Sequence, residues 1–229
     1  TFIVTFASML FAYTTAHIAS GDAESAARLT TRTTVVLLVA FVPVSLLTCL
    51  CAEDIVTIIY ARGAFDAESV RVCAQALRGY ALMFVPMIFQ EVYSRFLYGY
   101  RDARRPMINS SVSVVCNIAL SVALCPRLGV LGVAVATSVA SALCGVLNLL
   151  SARRQHPELH CGVLLHTLPW LAVGSAACGV TAWLCTARLA GSSPLVRFIL
   201  TALLGIAAYA LAAAPLLLRL WRQLRRKPE

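Results

Sequence analysis

Charge is what this sequence has least of. Only 13% of its 229 residues are Asp, Glu, Lys or Arg, against about a quarter in an ordinary soluble domain. That scarcity, with 60% hydrophobic residues and a mean hydropathy of +0.82, excludes a soluble enzyme, a disordered chain and a small disulfide-stapled secreted module. Paired chemistry is missing too. The nine cysteines form no C-x-x-C pair and no histidine clusters beside them, so zinc and iron–sulfur ligation lack their ligand spacing. No Gly-rich phosphate loop, G-x-S-x-G elbow or H-E-x-x-H helix occurs. His17, His156, His160 and His166 are dispersed, and a single acid, Glu91, lies well inside an apolar run. One carboxylate cannot serve as both general acid and general base, so catalysis, metal and cofactor are all expected to be absent.

What remains is a series of uncharged runs separated by charged turns. Thr1–Gly21, Thr33–Ala52, Gly79–Gln90 (continuing through Glu91 and Arg95 to Tyr100), Pro106–Pro126, Leu128–Ala152, Gly162–Ala187 and Phe198–Leu218 make seven. Most can cross a hydrocarbon core of ~30 Å as helices rising about 1.5 Å per residue. They are apolar all round rather than alternating, which rules out β-barrel strands. The expected class is therefore an all-α integral membrane protein, a bundle of seven transmembrane helices.

Loop arginines predict its direction. Arg28, Arg32, Arg101, Arg104, Arg105, Arg153, Arg154, Arg219, Arg222, Arg225, Arg226 and Lys227 share one side, and Arg62, Arg71, Arg78, Arg127, Arg188 and Arg197 the other, twelve against six. The richer side is expected to be cytoplasmic, with the C-terminus inside and Thr1 outside. An outside start with no signal peptide implies an odd number of earlier spans, and hence a missing N-terminal portion. The net charge of +9 reads as membrane topology, not as a nucleic-acid interface. The tail from Arg219 to Lys227, with Trp221 as an interfacial anchor, is expected to lie on the lipid surface.

The third run is the unusual one. Arg78 stands near its outer end, Pro86 midway, and Gln90, Glu91 and Arg95 toward its cytoplasmic end. Ionisable groups inside a span are costly and face a cavity or each other. Glu91 and Arg95, four residues apart, share a helix face. Two readings stay open: a polar path for an anionic substrate lined by Gln90, Glu91, Arg95 and Arg78, or a self-satisfied pair near the interface. Pro86 is expected to kink the helix. Asn109, Asn117 and Asn148 are expected to make interhelical hydrogen bonds. The small residues of the fifth and sixth runs are expected to allow close helix contact.

Three motifs carry a resemblance. Arg62-Gly63-Ala64-Phe65-Asp66 follows the second run, Phe96-Leu-Tyr-Gly-Tyr-Arg-Asp102-Ala-Arg-Arg-Pro106 joins the third and fourth, and Pro126-Arg-Leu-Gly-Val-Leu-Gly132 turns into the fifth. Together they resemble the MurJ/MviN-type lipid II flippases of the multidrug/oligosaccharidyl-lipid/polysaccharide exporter superfamily. There an R-G-A-F motif opens a short external amphipathic segment, a D-x-x-x-P loop joins spans ten and eleven, and a P-x-x-G-x-x-G turn precedes span twelve. The family's P-x-L-S near the end of span eight is Ala12-Tyr-Thr-Thr15 here, and its threonine before the loop proline is Arg105.

The resemblance implies spans eight to fourteen of a fourteen-span protein, its C-lobe. On that basis 1–152 is a five-helix part, 153–218 the last two spans with a possible groove for a polyprenyl tail, and 219–229 a basic cytoplasmic tail. It also implies alternating-access flipping of an undecaprenyl-linked peptidoglycan precursor in the bacterial inner membrane. The partners would be membrane lipids and the missing N-terminal lobe. A polysaccharide-unit exporter of the same superfamily, and a non-transporting membrane remnant, remain as alternatives.

Overall fold

The computed structural model of the chain describes residues 2–63, 65–159, 162–189 and 191–216. The tail expected from Arg219, with Trp221, lies outside the described residues, as do Ala64, His160 and Cys161. Nine α-helices and no strand occur among the described residues: α1 (Phe2–Ala19), α2 (Ala23–Leu50), α3 (Ala52–Tyr60), α4 (Ala67–Ala81), α5 (Phe84–Gly99), α6 (Arg104–Leu128), α7 (Val130–Gln155), α8 (Gly162–Arg188) and α9 (Pro194–Ala212). Helix is the only local solution for apolar segments that must satisfy their own backbone groups in lipid. Five of them, α2, α6, α7, α8 and α9, are long and apolar enough to cross a membrane, and α4 with α5 makes a sixth, bent span. The shorter apolar α1 occupies the first of the seven expected runs.

Several boundaries differ from the charge-free runs, each for a local reason. α2 begins at Ala23, ten residues before Thr33, because the Asp22 carboxylate caps it by accepting the Ser25 N–H at 2.9 Å. Its charged first turns are tolerated because Glu24 and Arg28 pair in the open. The third run is two helices, α4 and α5, meeting at 41° with Leu82 and Met83 between them. Pro86 has no N–H for the Leu82 carbonyl, and its ring crowds that oxygen, so the chain breaks one turn before the proline. α9 stops at Ala212, with a turn at Ala213 before residues 214–216 resume the helix, because Pro215 has no N–H for the Leu211 carbonyl. The expected end at Leu218 lies outside the described residues.

α7 is the hub. It packs against α4, α5 and α6 through a face of small residues, with Ala134, Ala136, Ser138, Ala140, Ser141, Cys144 and Gly145 buried. At Gly145 a methyl group would stand 3.0 Å from the Pro86 carbonyl oxygen, and at Gly79 a methyl would lie 2.6 Å from Ala134 Cβ. Contacts this close hold membrane helices together by packing, since lipid offers no hydrophobic drive for helix association. The largest apolar cluster joins α2, α5, α8 and α9 through Val35, Leu38, Leu47, Ile88, Val92, Leu171, Cys178 and Tyr209. The last two spans thus lean on α2, and α9 also reaches α3. α6 is the outlier: none of the 18 residues in its most apolar stretch is buried.

Candidate functional site

α5 divides its polar residues between two faces. Gln90 turns to α7, where its Oε1 accepts the Ser141 hydroxyl at 2.9 Å and its backbone oxygen accepts Asn148 Nδ2 at 3.3 Å. Asn148 Oδ1 in turn accepts Asn109 Nδ2 at 2.8 Å, and Asn109 also donates to Ser151 Oγ at 3.2 Å. This chain of amides ties α5, α6 and α7, and it is the interhelical role expected for Asn109 and Asn148. Asn117 stays on its own helix, accepting a 3.4 Å bond from Ser121.

Glu91 and Arg95 meet as the i, i+4 pair expected, Nη2 to Oε2 at 3.0 Å, each side chain 22% exposed. Arg95 Nε is buried without a hydrogen-bond partner among the described residues. Arg78 lies apart, beyond the bend on α4, where its Nη2 donates to Glu53 of α3 at 2.8 Å. The four residues expected to line a path therefore occupy three places: the α5–α7 seam, a half-buried pair on α5, and one end of the bundle.

The loop motifs have individual structural jobs. In the R-G-A-F-D segment Arg62 is exposed, and Gly63 adopts φ +61°, the left-handed conformation that an L side chain resists. Phe65 packs onto Ala52, Val56 and Ala74, with its ring 6.0 Å from that of Tyr60. Asp66 caps α4 by accepting the Ser69 N–H at 2.8 Å, and those hydrogen bonds from Ser69 hold its carboxyl below the ordinary value. In the D-x-x-x-P loop Asp102 accepts the Arg105 N–H at 3.2 Å and Gln155 Nε2 at 3.0 Å, while Pro106 is buried in the first turn of α6. Gly129, at φ +56°, closes the turn between α6 and α7.

Two contacts were not legible in the sequence. Asp54 of α3, 5% exposed, accepts both Nε and Nη2 of Arg197 of α9. The residues are 143 apart, and nothing local marks either as the other's partner. At the opposite end Tyr100 stacks on His156 with ring centroids 3.7 Å apart, and Phe96 meets both edge-on. Burial lowers the His156 pKa, Glu158 opposes that shift, and Arg105 reinforces it. His166 is exposed on α8. Among the described residues no three His, Cys, Asp or Glu side chains gather as a metal site requires.

Such an arrangement offers close-packed helices and a half-buried charged pair on the bent span. The family model described as "Lipid II flippase MurJ" matches residues 1–203. A probable lipid II flippase MurJ of Rhizobium tropici is 30% identical over 138 residues, which cover 60% of this chain and 26% of that protein. One of Helicobacter pylori (strain ATCC 700392 / 26695) is 27% identical over 127 residues, 56% of this chain and 27% of the relative. Among solved structures, lipid II flippase MurJ in an inward closed conformation superposes with a TM-score of 0.72 at 18% identity. That match covers 96% of this chain and 44% of the solved one, a likeness of fold. The chain spans less than half the length of the flippase whose structure it matches. A multi-pass helical membrane protein matched by the family model over most of its length, this chain belongs to the lipid II flippase MurJ family.

Proposed function

We propose that this chain forms the C-lobe of a flippase that carries a lipid-linked peptidoglycan precursor, lipid II, across the bacterial inner membrane by alternating access, without catalysing a reaction. In this reading the preceding lobe of the relatives supplies the other wall of the cavity. The observation that carries the reading to particular residues is the Glu91–Arg95 pair, half-buried on α5 about two turns past the bend at Leu82 and Met83. A diphosphate headgroup needs a cationic, polar route, and two bundles rocking about a shared site provide one open to each side in turn. Glu91 holds Arg95 Nη2, and the buried, unpartnered Nε of Arg95 would gain an acceptor if a phosphate oxygen reached it as the helices rearrange. Gln90 fixes α5 against α7, and Arg78 flanks the mouth of the path. The excess of loop arginines on the side holding Arg104 and Arg153 supports a cytoplasmic C-terminus. The hairpin of α8 and α9 is the wall nearest the substrate's polyprenyl tail.

The test is growth of a bacterium depleted of its own lipid II flippase, supplied with this chain joined to the N-terminal portion of a relative. The unsubstituted protein is expected to support growth, and Glu91→Gln or Arg95→Gln to abolish it while the protein still inserts in the membrane. Full rescue by the double exchange Glu91→Arg with Arg95→Glu would reduce the pair to a structural role. Failure of the unsubstituted protein would favour a membrane protein that does not transport.

A further inference from the structure

The end of the bundle where α5, α6 and α7 meet carries Arg101, Arg104, Arg105, Arg153 and Arg154, all exposed. A topology signal explains why arginines are there, but not why they stand as they do. Arg105 lies 3.7 Å from Asp102, and the other four make no ion pair among the described residues. Asp102 is engaged by Gln155 Nε2, the Arg105 N–H and the Arg105 guanidinium, and Glu158 makes no ion pair with the other four among the described residues. The Gln155–Asp102 bond and the Tyr100–His156 stack clamp the α5–α6 turn to the end of α7, and Arg101 holds φ +60° within that turn. Arg101 from the α5–α6 turn, Arg104 and Arg105 from the first turn of α6, and Arg153 and Arg154 from the last turn of α7 thus make a cationic plate at this end.

Beneath the plate the surface turns apolar at once. Met107 and Ile108 on the first turns of α6 are 64% and 46% exposed, and Leu150 on the last turns of α7 is 44% exposed. The apolar face of α6 below them has no helix over it among the described residues. A ligand that satisfies both halves carries an anionic phosphate above hydrocarbon. We propose that this plate is a docking site for anionic phospholipid, with the phosphodiester held by Arg101, Arg104, Arg153 and Arg154 and the acyl chains laid along α6. Guanidinium forks match phosphate oxygens in pairs, and the exposed Met107, Ile108 and Leu150 beside them offer the acyl chains a surface that a free anion would not use. The proposal rests on the chain being a membrane bundle and is independent of whether it flips lipid II.

Native mass spectrometry of the full chain in detergent, offered phosphatidylglycerol or phosphatidylcholine, tests it. The unsubstituted chain is expected to retain phosphatidylglycerol about tenfold over phosphatidylcholine. The fourfold variant R101Q/R104Q/R153Q/R154Q is expected to lose that preference, while R127Q/R188Q at the other end keeps it. Replacing the same four arginines by lysine is expected to keep part of it. Where the fourfold variant is not monodisperse, R153Q/R154Q is read in its place and is expected to show a clear loss. Equal retention of the two lipids by the unsubstituted chain, or an undiminished preference in the glutamine variants, would overturn the proposal. So would displacement of phosphatidylglycerol by millimolar inorganic pyrophosphate, which would make this a site for free phosphates.

Discussion

At one end of this bundle two arginines, Arg78 and Arg197, are bound to carboxylates on another helix; at the opposite end four stand open and neutral contacts do the holding. Arg197 of α9 grips Asp54 of α3, and Arg78 of α4 grips Glu53 of the same short helix, so α3 ties two other helices to itself through charge. At the far end Gln155 reaches Asp102, His156 stacks on Tyr100, and four arginines keep no partner among the described residues. The difference teaches that positive residues in a membrane protein do two kinds of work. Paired across helices, they fix one helix against another; exposed and unpaired, they face the leaflet. Only the first kind is expected to matter for folding in a neutral detergent.

Substitutions can break that contrast, and the largest effect is expected at Asp54. Asp54→Ala leaves Arg197 partly buried and uncompensated, a loss of about 3–5 kcal/mol in unfolding of the reconstituted chain, while replacing both partners by leucine costs far less. Equal losses for the single and double changes would mean that the pair holds α9 through packing alone. Next comes Gly79→Ala, which drives a methyl into Ala134 on the hub helix and is expected to cost about 1–3 kcal/mol by the same measurement.

Asn148→Leu removes the donor to the Gln90 carbonyl and the acceptor for Asn109. Its expected cost is smaller, about 1–2 kcal/mol, because other partners in the bundle recover part of the bonding. Smaller still is Arg78→Gln, at most about 1 kcal/mol, since both members of that pair are more than a third exposed.

The neutral end is sharpened by pH. Burial holds His156 below its ordinary value, so the unfolded chain binds the extra proton more readily than the folded one. Stability from the stack is therefore complete above the ordinary histidine pKa of about 6.5 and falls as the pH drops below it. Thermal melts between pH 8 and pH 5 are expected to show a small decline that His156→Phe removes.

Much of the fold was legible because its signals are local. Runs free of charge mark most of the spans, and the i, i+4 spacing of Glu91 and Arg95 made their pairing readable. Even the bend was foreshadowed by Pro86, although the break falls four residues earlier, at the carbonyl that the proline cannot bond. Where the reading slipped, it counted charge and missed a local start: Asp22 begins α2 early. The candidate path was legible only in part. Spacing put Gln90 near Glu91 and Arg95, but which side of α5 each would face depended on where α7 lay.

By itself the sequence determined the solvent, the class and the approximate number of helices, because lipid leaves an apolar segment no alternative to satisfying its own backbone. It also determined the caps and the glycine turns, whose causes lie within a few residues. Tertiary structure alone decided that α7 is the hub, that α6 stands with an open face, and that Asp54 meets Arg197 across 143 positions. The reason is physical. Helices in a membrane choose neighbours by shape and by a few polar contacts, and complementarity between two surfaces is a property of the pair that neither segment encodes alone.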